Sequence, residues 1–167
     1  MATRDVQEPR LPRQHAYRNR QQTILHHRLS STFLRNRTEE GKAKTEIAGL
    51  FVTNYDDPFD ELLWKGYLLT RGHDWKDALY LHRLVLKTPY KGVGLTPKIV
   101  EFVEGKVQES GRHFLRLDCL AGNERLRKFY GTRCRGVGKG GLEELETVWN
   151  PDLELEFARF ERQVVPF

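Results

Sequence analysis

Residues 89–102 of this 167-residue chain read PYKGVGLTPKIVEF. Gly92 and Gly94 stand just ahead of Pro97 and of an apolar run with helical spacing. A glycine turn at the mouth of a helix exposes backbone N–H groups at the positive end of the helix dipole, where phosphate or pyrophosphate binds readily. Such a cradle needs glycine because a side chain would hold the ligand away from the amides. The turn lacks the third glycine of GxGxxG and the GK[ST] of a P-loop. Taken alone, it fits a structural turn as well as an anion site.

Three other sets of residues carry chemistry. His82 interrupts the apolar run ALYLHRLVLK, residues 78–87. It is either a satisfied core group or a proton-transfer group. Tyr80 shares its facing by the period of two in a strand. Asp56, Asp57 and Asp60 crowd the segment NYDDPFDE and could recruit a cationic amine, although a solvated loop explains them too. Cys119 lies mid-strand among apolar neighbours and reads as inert, and with Cys134 it makes no CxxC pair. His26 and His27 are adjacent rather than spaced for one helix face, so no metal site is expected.

The elements that must hold these residues follow from periodicity. Tyr17, Ile24, Leu25, Leu29, Phe33 and Leu34 predict one helix or two short ones over 16–37, broken near Ser30–Thr32. TEIAGLFVTN, 45–54, predicts a strand, and NYDDPFD a turn at which Pro58 ends any ladder. LLWKGYLLT, 62–70, reads as a second strand interrupted by Gly66, followed by the polar connection RGHDWKD. Residues 78–87 read as a central strand covered on both faces. Pro97 suits a first helical turn, and Gly111 stops that helix. HFLRLDCLA, 113–121, alternates like a strand, and NERLRKFYG reads as a short helix capped by Asn123. RCRGVGKGG reads as a bent strand or loop, and ELEFARFERQVV, 154–165, as a closing strand. The alternation in the second half predicts an α/β layer fold with some parallel pairing.

Composition sets the frame. With 38% hydrophobic and 31% charged residues, the chain has the balance of a water-soluble globular protein. No stretch approaches the roughly 20 apolar residues of a membrane span, and the N-terminus lacks the apolar centre of a secretory signal. With only two cysteines, a reducing, cytoplasmic setting is the expectation. Residues 1–42 hold nine Arg/Lys against four Asp/Glu, so the net charge of +5 belongs to that segment and the remainder is neutral. Residues 1–15 read as a disordered basic tail and 16–167 as one domain. The tail could touch nucleic acid, but no nucleic-acid motif accompanies it and the expectation is that it does not.

The stretch LHRLVLKTPYKGVGLTPKIVEFVEGKVQESGRHFLRLDCLAGNERLRKFY resembles the core of the GCN5-related N-acetyltransferase (GNAT) family. The family's pyrophosphate turn, R/Q-x-x-G-x-G/A, matches Lys91, Gly92, Val93, Gly94, Leu95 and Thr96, with Lys91 and Thr96 departing from the usual types. Its downstream strand, helix-opening Asn and helix Tyr match Leu115–Asp118, Asn123 and Tyr130, while Cys134 and Arg135 stand where a Gly-Phe pair is usual. The resemblance covers roughly 78–131 and implies a mixed, splayed central sheet flanked by helices. It implies acetyl-CoA as donor and direct transfer to a primary amine of a small molecule or protein within a ternary complex. The backbone of Leu84, Val85 and Leu86 would pair with the pantetheine arm, and Asn123 would bind CoA or brace the parted strands. Tyr130 would protonate the departing sulfur and His82 would serve as general base. Asp56, Asp57 and Tyr80 would meet the acceptor, whose identity is open. Family habit also implies a homodimer. The rival reading is a non-catalytic CoA-binding or interaction module of the same fold.

Overall fold

The computed structural model describes residues 29–39, 42–134 and 141–164. The expected N-terminal tail and the start of the helix predicted from residue 16 lie outside them, as do Arg135 and most of the RCRGVGKGG segment.

Strands β1 (Leu29–Glu39) and β2 (Lys42–Asn54) form a long antiparallel hairpin. The helix predicted through residue 37 is therefore corrected over 29–37. Its helical spacing rested on a few apolar residues, whereas the hairpin pairs the whole of β1 with β2, and long-range pairing outweighs weak local propensity. Helix α1 (Pro58–Leu69) replaces the strand expected at 62–70. Asp57 caps it by accepting from the Phe59 N–H at 2.9 Å, and Pro58 occupies the first helical position, where its missing N–H leaves nothing unpaired. The buried residues Leu63, Trp64 and Leu68 then fall on one helical face.

Strand β3 (Ala78–Leu86) leads through a 3₁₀ turn at Thr88–Tyr90 to helix α2 (Leu95–Glu109). Strand β4 (Phe114–Leu120), helix α3 (Glu124–Thr132), the short strands β5 (Glu143–Glu144) and β6 (Val148–Asn150), and β7 (Leu155–Gln163) complete the chain. The sheet order is β1-β2-β3-β4-β7-β5, with β6 also on β7. Among the described strands only β3 and β4 pair in parallel, as α/β layering requires of strands joined by a crossover helix.

Alternation divides the side chains between two layers. Leu79, Leu81, Leu115, Leu117, Ala158 and Phe160 pack with Ile99, Val100, Val103 and Val107 of α2. Ala78, Tyr80, Phe114 and Phe157 pack instead with Leu63, Trp64 and Leu68 of α1. Arg159 ties α1 to the sheet by donating from Nη1 to the Leu63 carbonyl at 3.0 Å. On the same face Arg116 is fully buried and pairs with Glu161 at 2.6 Å. No helix among the described residues is long and apolar enough to cross a membrane.

Candidate functional site

The parallel pairing of β3 with β4 is short: Ala78, Leu79 and Tyr80 meet Phe114, Leu115 and Arg116, and there it ends. Beyond Tyr80 the strands part, β3 keeping its ladder to β2 and β4 its ladder to β7. A bulge sharpens the departure. Leu50 pairs with Val85 and Val52 with His82, so Arg83 and Leu84 together oppose Phe51, and Arg83 has φ 51°. The extra residue reverses the facing of the strand, and Leu84 and Leu86 join the α2 layer while Val85 is exposed. The expectation that β3 is covered on both faces is thus corrected: only Ala78–Leu81 are uniformly buried.

The free edge of β3 runs into the glycine turn. Gly92 (φ 76°) and Gly94 (φ 80°) adopt the left-handed conformation that side chains resist, and Gly94 is the N-cap of α2 with no side chain capping it. The amides of Gly92, Val93, Gly94, Leu95 and Thr96 find no acceptor among the described residues. Lys91 to Gly94 are all exposed, and the turn stands at the positive end of a 15-residue helix. That is the arrangement an anionic diphosphate fits, and no atom lies within 4 Å of where a Cβ would stand on either glycine.

On the α1 side of the parting strands, His82 sits in a polar nest. Its Nε2 lies 3.1 Å from Asn54 Oδ1 and 3.2 Å from Asp60 Oδ2. Asp60 is fully buried and the His82 side chain is 20% exposed, so the ring keeps an edge to solvent. Burial pulls the imidazole pKa down, but the hydrogen bond and charge of Asp60, with Asp118 and Asp57 behind, raise it overall. Asp118 of β4 faces the same spot, with a buried Oδ2 that has no hydrogen-bond partner among the described residues. Burial chiefly pushes its carboxyl up to about 6, the charge of Asp60 adding and that of His82 subtracting. Asp60, His82 and Asp118 bring three donor atoms within 4.8 Å of one another, a mixed nitrogen and oxygen set that a divalent cation could use. In the arrangement observed, however, Nε2 already faces two acceptor oxygens, of Asn54 and Asp60.

Tyr130, on α3, packs edge-on against Phe160 at 5.3 Å in the opposite layer. Burial, with Cys119, Cys134 and Asp118 nearby, holds its hydroxyl well above the ordinary 10.0, so it stays protonated and able to donate. Burial likewise pushes the Cys119 thiol up to about 11, in keeping with an inert cysteine. Asn123 caps α3, its Oδ1 accepting from the Leu126 N–H at 3.1 Å.

The residues expected to meet the acceptor are placed differently from one another. Tyr80 is fully buried and its hydroxyl donates to the Trp75 carbonyl at 2.7 Å, with Arg116 beside it, so the shared facing with His82 does not bring it to an open site. Asp56 makes a surface ion pair with Lys76 at 3.0 Å. Asp57 is the α1 cap and holds the Asn54 amide at 3.1 Å. Sequence reasoning missed Asn54 and gave Asp118 no chemical part. The signal for Asp118 was the strand register: once Tyr80 pairs with Arg116 in parallel, the next residues of like facing are His82 and Asp118.

No family model matches the chain. A stretch of 72 residues is 31% identical to YesJ of Bacillus subtilis strain 168, an uncharacterized N-acetyltransferase, covering 43% of this chain and 37% of that protein. A solved GNAT-family acetyltransferase of Listeria monocytogenes superposes with a TM-score of 0.52 at 23% identity, over 71% of this chain and 58% of its own. An acetyltransferase of Bacillus subtilis solved in complex with CoA superposes at 0.45, with 11% identity over 72% and 71% of the two chains. The Listeria superposition shows the fold: the open mixed sheet flanked by helices is that of the GNAT acetyltransferases, as the residues of 78–131 implied. The chain spans less than two thirds of the length of YesJ or of the Listeria protein.

Proposed function

We propose that this chain, which has the fold of the GNAT acetyltransferases, moves an acetyl group from acetyl-CoA to a primary amine. The observation that carries the reading is a continuous one. The edge of β3 freed after Tyr80 leads directly to a turn whose amides are unclaimed, so one extended ligand with a diphosphate could lie along both. In this reading the backbone of Leu84–Leu86 holds the pantetheine arm and the amides of Gly92–Thr96 hold the pyrophosphate, with Lys91 adding a positive charge. The donor supplies an acyl group activated as a thioester. His82 takes one proton from the attacking nitrogen, and the Tyr130 hydroxyl gives one to the sulfur, so a neutral amine and the donor yield an amide and a free thiol with no net proton. A positioned acid or base of this kind contributes about 10²–10⁴-fold, and the alignment of two substrates contributes further.

The test is calorimetric titration with acetyl-CoA, followed by a thiol-release assay against a panel of primary amines. Gly94→Glu places a carboxylate at the cradle and should abolish binding. Gly94→Asn, which tolerates the left-handed backbone and brings no charge, should keep the fold and weaken binding less than the Glu variant. Absence of saturable binding to the wild-type chain, or equal binding by the Glu variant, overturns the assignment of the turn.

A further inference from the structure

The Asn54 amide has a fixed orientation. Its Nδ2 donates to Asp57 Oδ2 at 3.1 Å, and Asp57 is itself held by capping α1 through the Phe59 N–H. The amide oxygen must therefore be the atom turned to His82, and at 3.1 Å it is an acceptor. The second group at the same ring nitrogen, Asp60 Oδ2 at 3.2 Å, is also an acceptor. Two acceptors and no donor meet Nε2, so that nitrogen carries the hydrogen whether the ring is neutral or charged. No hydrogen bond to Nδ1 is formed among the described residues.

We propose that Asp60 is a positioning residue: with Asn54 it locks His82 in the Nε2–H form, which makes Nδ1 the atom that receives the proton of the acceptor amine. The last step rests on the acetyl-transfer reading, while the lock itself does not. The charged and titratable groups around the ring are Asp60 and Asp57 from α1 and its cap, Asp118 from β4, and Tyr80, stacked at 6.4 Å on the same strand. Three carboxylates against one imidazole favour the imidazolium formed when Nδ1 is protonated. When both nitrogens carry hydrogen, Nε2–H keeps its bonds to Asn54 and Asp60, and the Nδ1 proton leaves to solvent through the exposed edge of the ring. The device links the capping of a helix to the tautomer of a base: Asp57 orients Asn54, and Asn54 with Asp60 orients the ring.

The experiment is ¹⁵N NMR of the histidine side chains in the full chain across a pH series, with His82 identified by the signals lost in His82→Gln. The neutral ring should be the Nε2–H tautomer alone. Asp60→Asn removes the charge and can turn an N–H toward Nε2, so the titration midpoint of His82 should fall and the Nδ1–H form should appear. In kinetics, the acid limb of kcat/KM should move to lower pH and kcat should drop about 10²-fold, with the KM for acetyl-CoA unchanged. A neutral wild-type ring with its hydrogen on Nδ1 overturns the proposal without any variant, which guards against an Asp60→Asn chain that does not fold. An unchanged midpoint and tautomer in a folded Asp60→Asn chain overturns it too. If the lock is seen but the wild-type chain transfers no acetyl group to any amine, acetyl transfer fails and the hold of Asp60 on His82 stands.

Discussion

Asp60 Oδ2 lies 3.2 Å from His82 Nε2, across 22 positions of sequence, because α1 and β3 are packed face to face. The pair is possible only where α1 lies over the half of β3 that has just left β4. The same departure of strands frees the edge of β3 and leaves His82 beside it, so the proposed donor groove and the proposed base would share one structural cause.

His82→Gln should therefore separate chemistry from donor binding. Glutamine keeps a polar, uncharged group near Asn54 and Asp60 but cannot take a proton. Turnover should fall about 10²–10⁴-fold, with acetyl-CoA affinity measured by calorimetry left in place. Equal losses in both would mean that His82 supports the groove rather than the reaction.

Tyr130 gives a sharper separation. Its ring is packed on Phe160, while its hydroxyl makes no hydrogen bond among the described residues. Tyr130→Phe keeps the packing, so thermal stability should hold within about 0.5 kcal/mol. Thiol release should fall about 10²-fold if the hydroxyl protonates sulfur. A chain that binds acetyl-CoA but releases no thiol in either form would be a binding module.

Two glycines test the sheet and helix that build the site. A Cβ at Gly49 would run into the Val85 carbonyl oxygen and come within 2.6 Å of Leu86 Cδ2, where β2 lies against the bulged half of β3. Gly49→Ala should cost about 1–3 kcal/mol in chemical denaturation. Gly66, exposed in α1 with nothing within 4 Å of the added methyl, should respond with the opposite sign, gaining about 0.5–1 kcal/mol as alanine. Matching signs would contradict the placement of one of the two.

From Ala78 to α3 the chain was readable because the elements announced themselves locally: the apolar run to Leu86, the glycine turn, the alternation of Leu115, Leu117 and Cys119, and the Asn123 cap; β5 and β6, two and three residues long, are too short to show a period. In the first half only β2 was legible, through its apolar, β-forming run. Leu29, Phe33 and Leu34 imitate a helical face but lie in β1, where pairing with β2 decides the conformation. At α1 the local signal existed and was outweighed: Asp57 followed by Pro58 is a helix start, yet the apolar residues around Gly66 resemble a strand. That misreading hid Asp60, since its approach to His82 follows only when 58–69 is a helix. Asp118 and Asn54 depend on strand register and on a contact across the sheet, neither of which is encoded in spacing along one element.

The carboxyl of Asp118 makes a prediction that needs no substrate. Its pKa stands near 6 in the folded chain against an ordinary 3.8, so between these values the folded state keeps a proton that the unfolded chain has lost. Stability must then fall as pH rises from about 4 to about 6, and the deficit persists above that window. At about 1.4 kcal/mol per unit, the shift is worth about 3 kcal/mol. The raised pKa of His82 acts in the same direction but later: its contribution is complete below about 6.5 and fades as pH rises through its folded value. Asp118→Asn removes the ionisation that burial opposes and leaves an amide able to donate to a neighbouring acceptor. Its advantage in melting temperature over the wild type should be clearly larger at pH 7.5 than at pH 4.5. The same difference at both pH values would place the Asp118 carboxyl in an ordinary solvated setting and remove it from the group around His82.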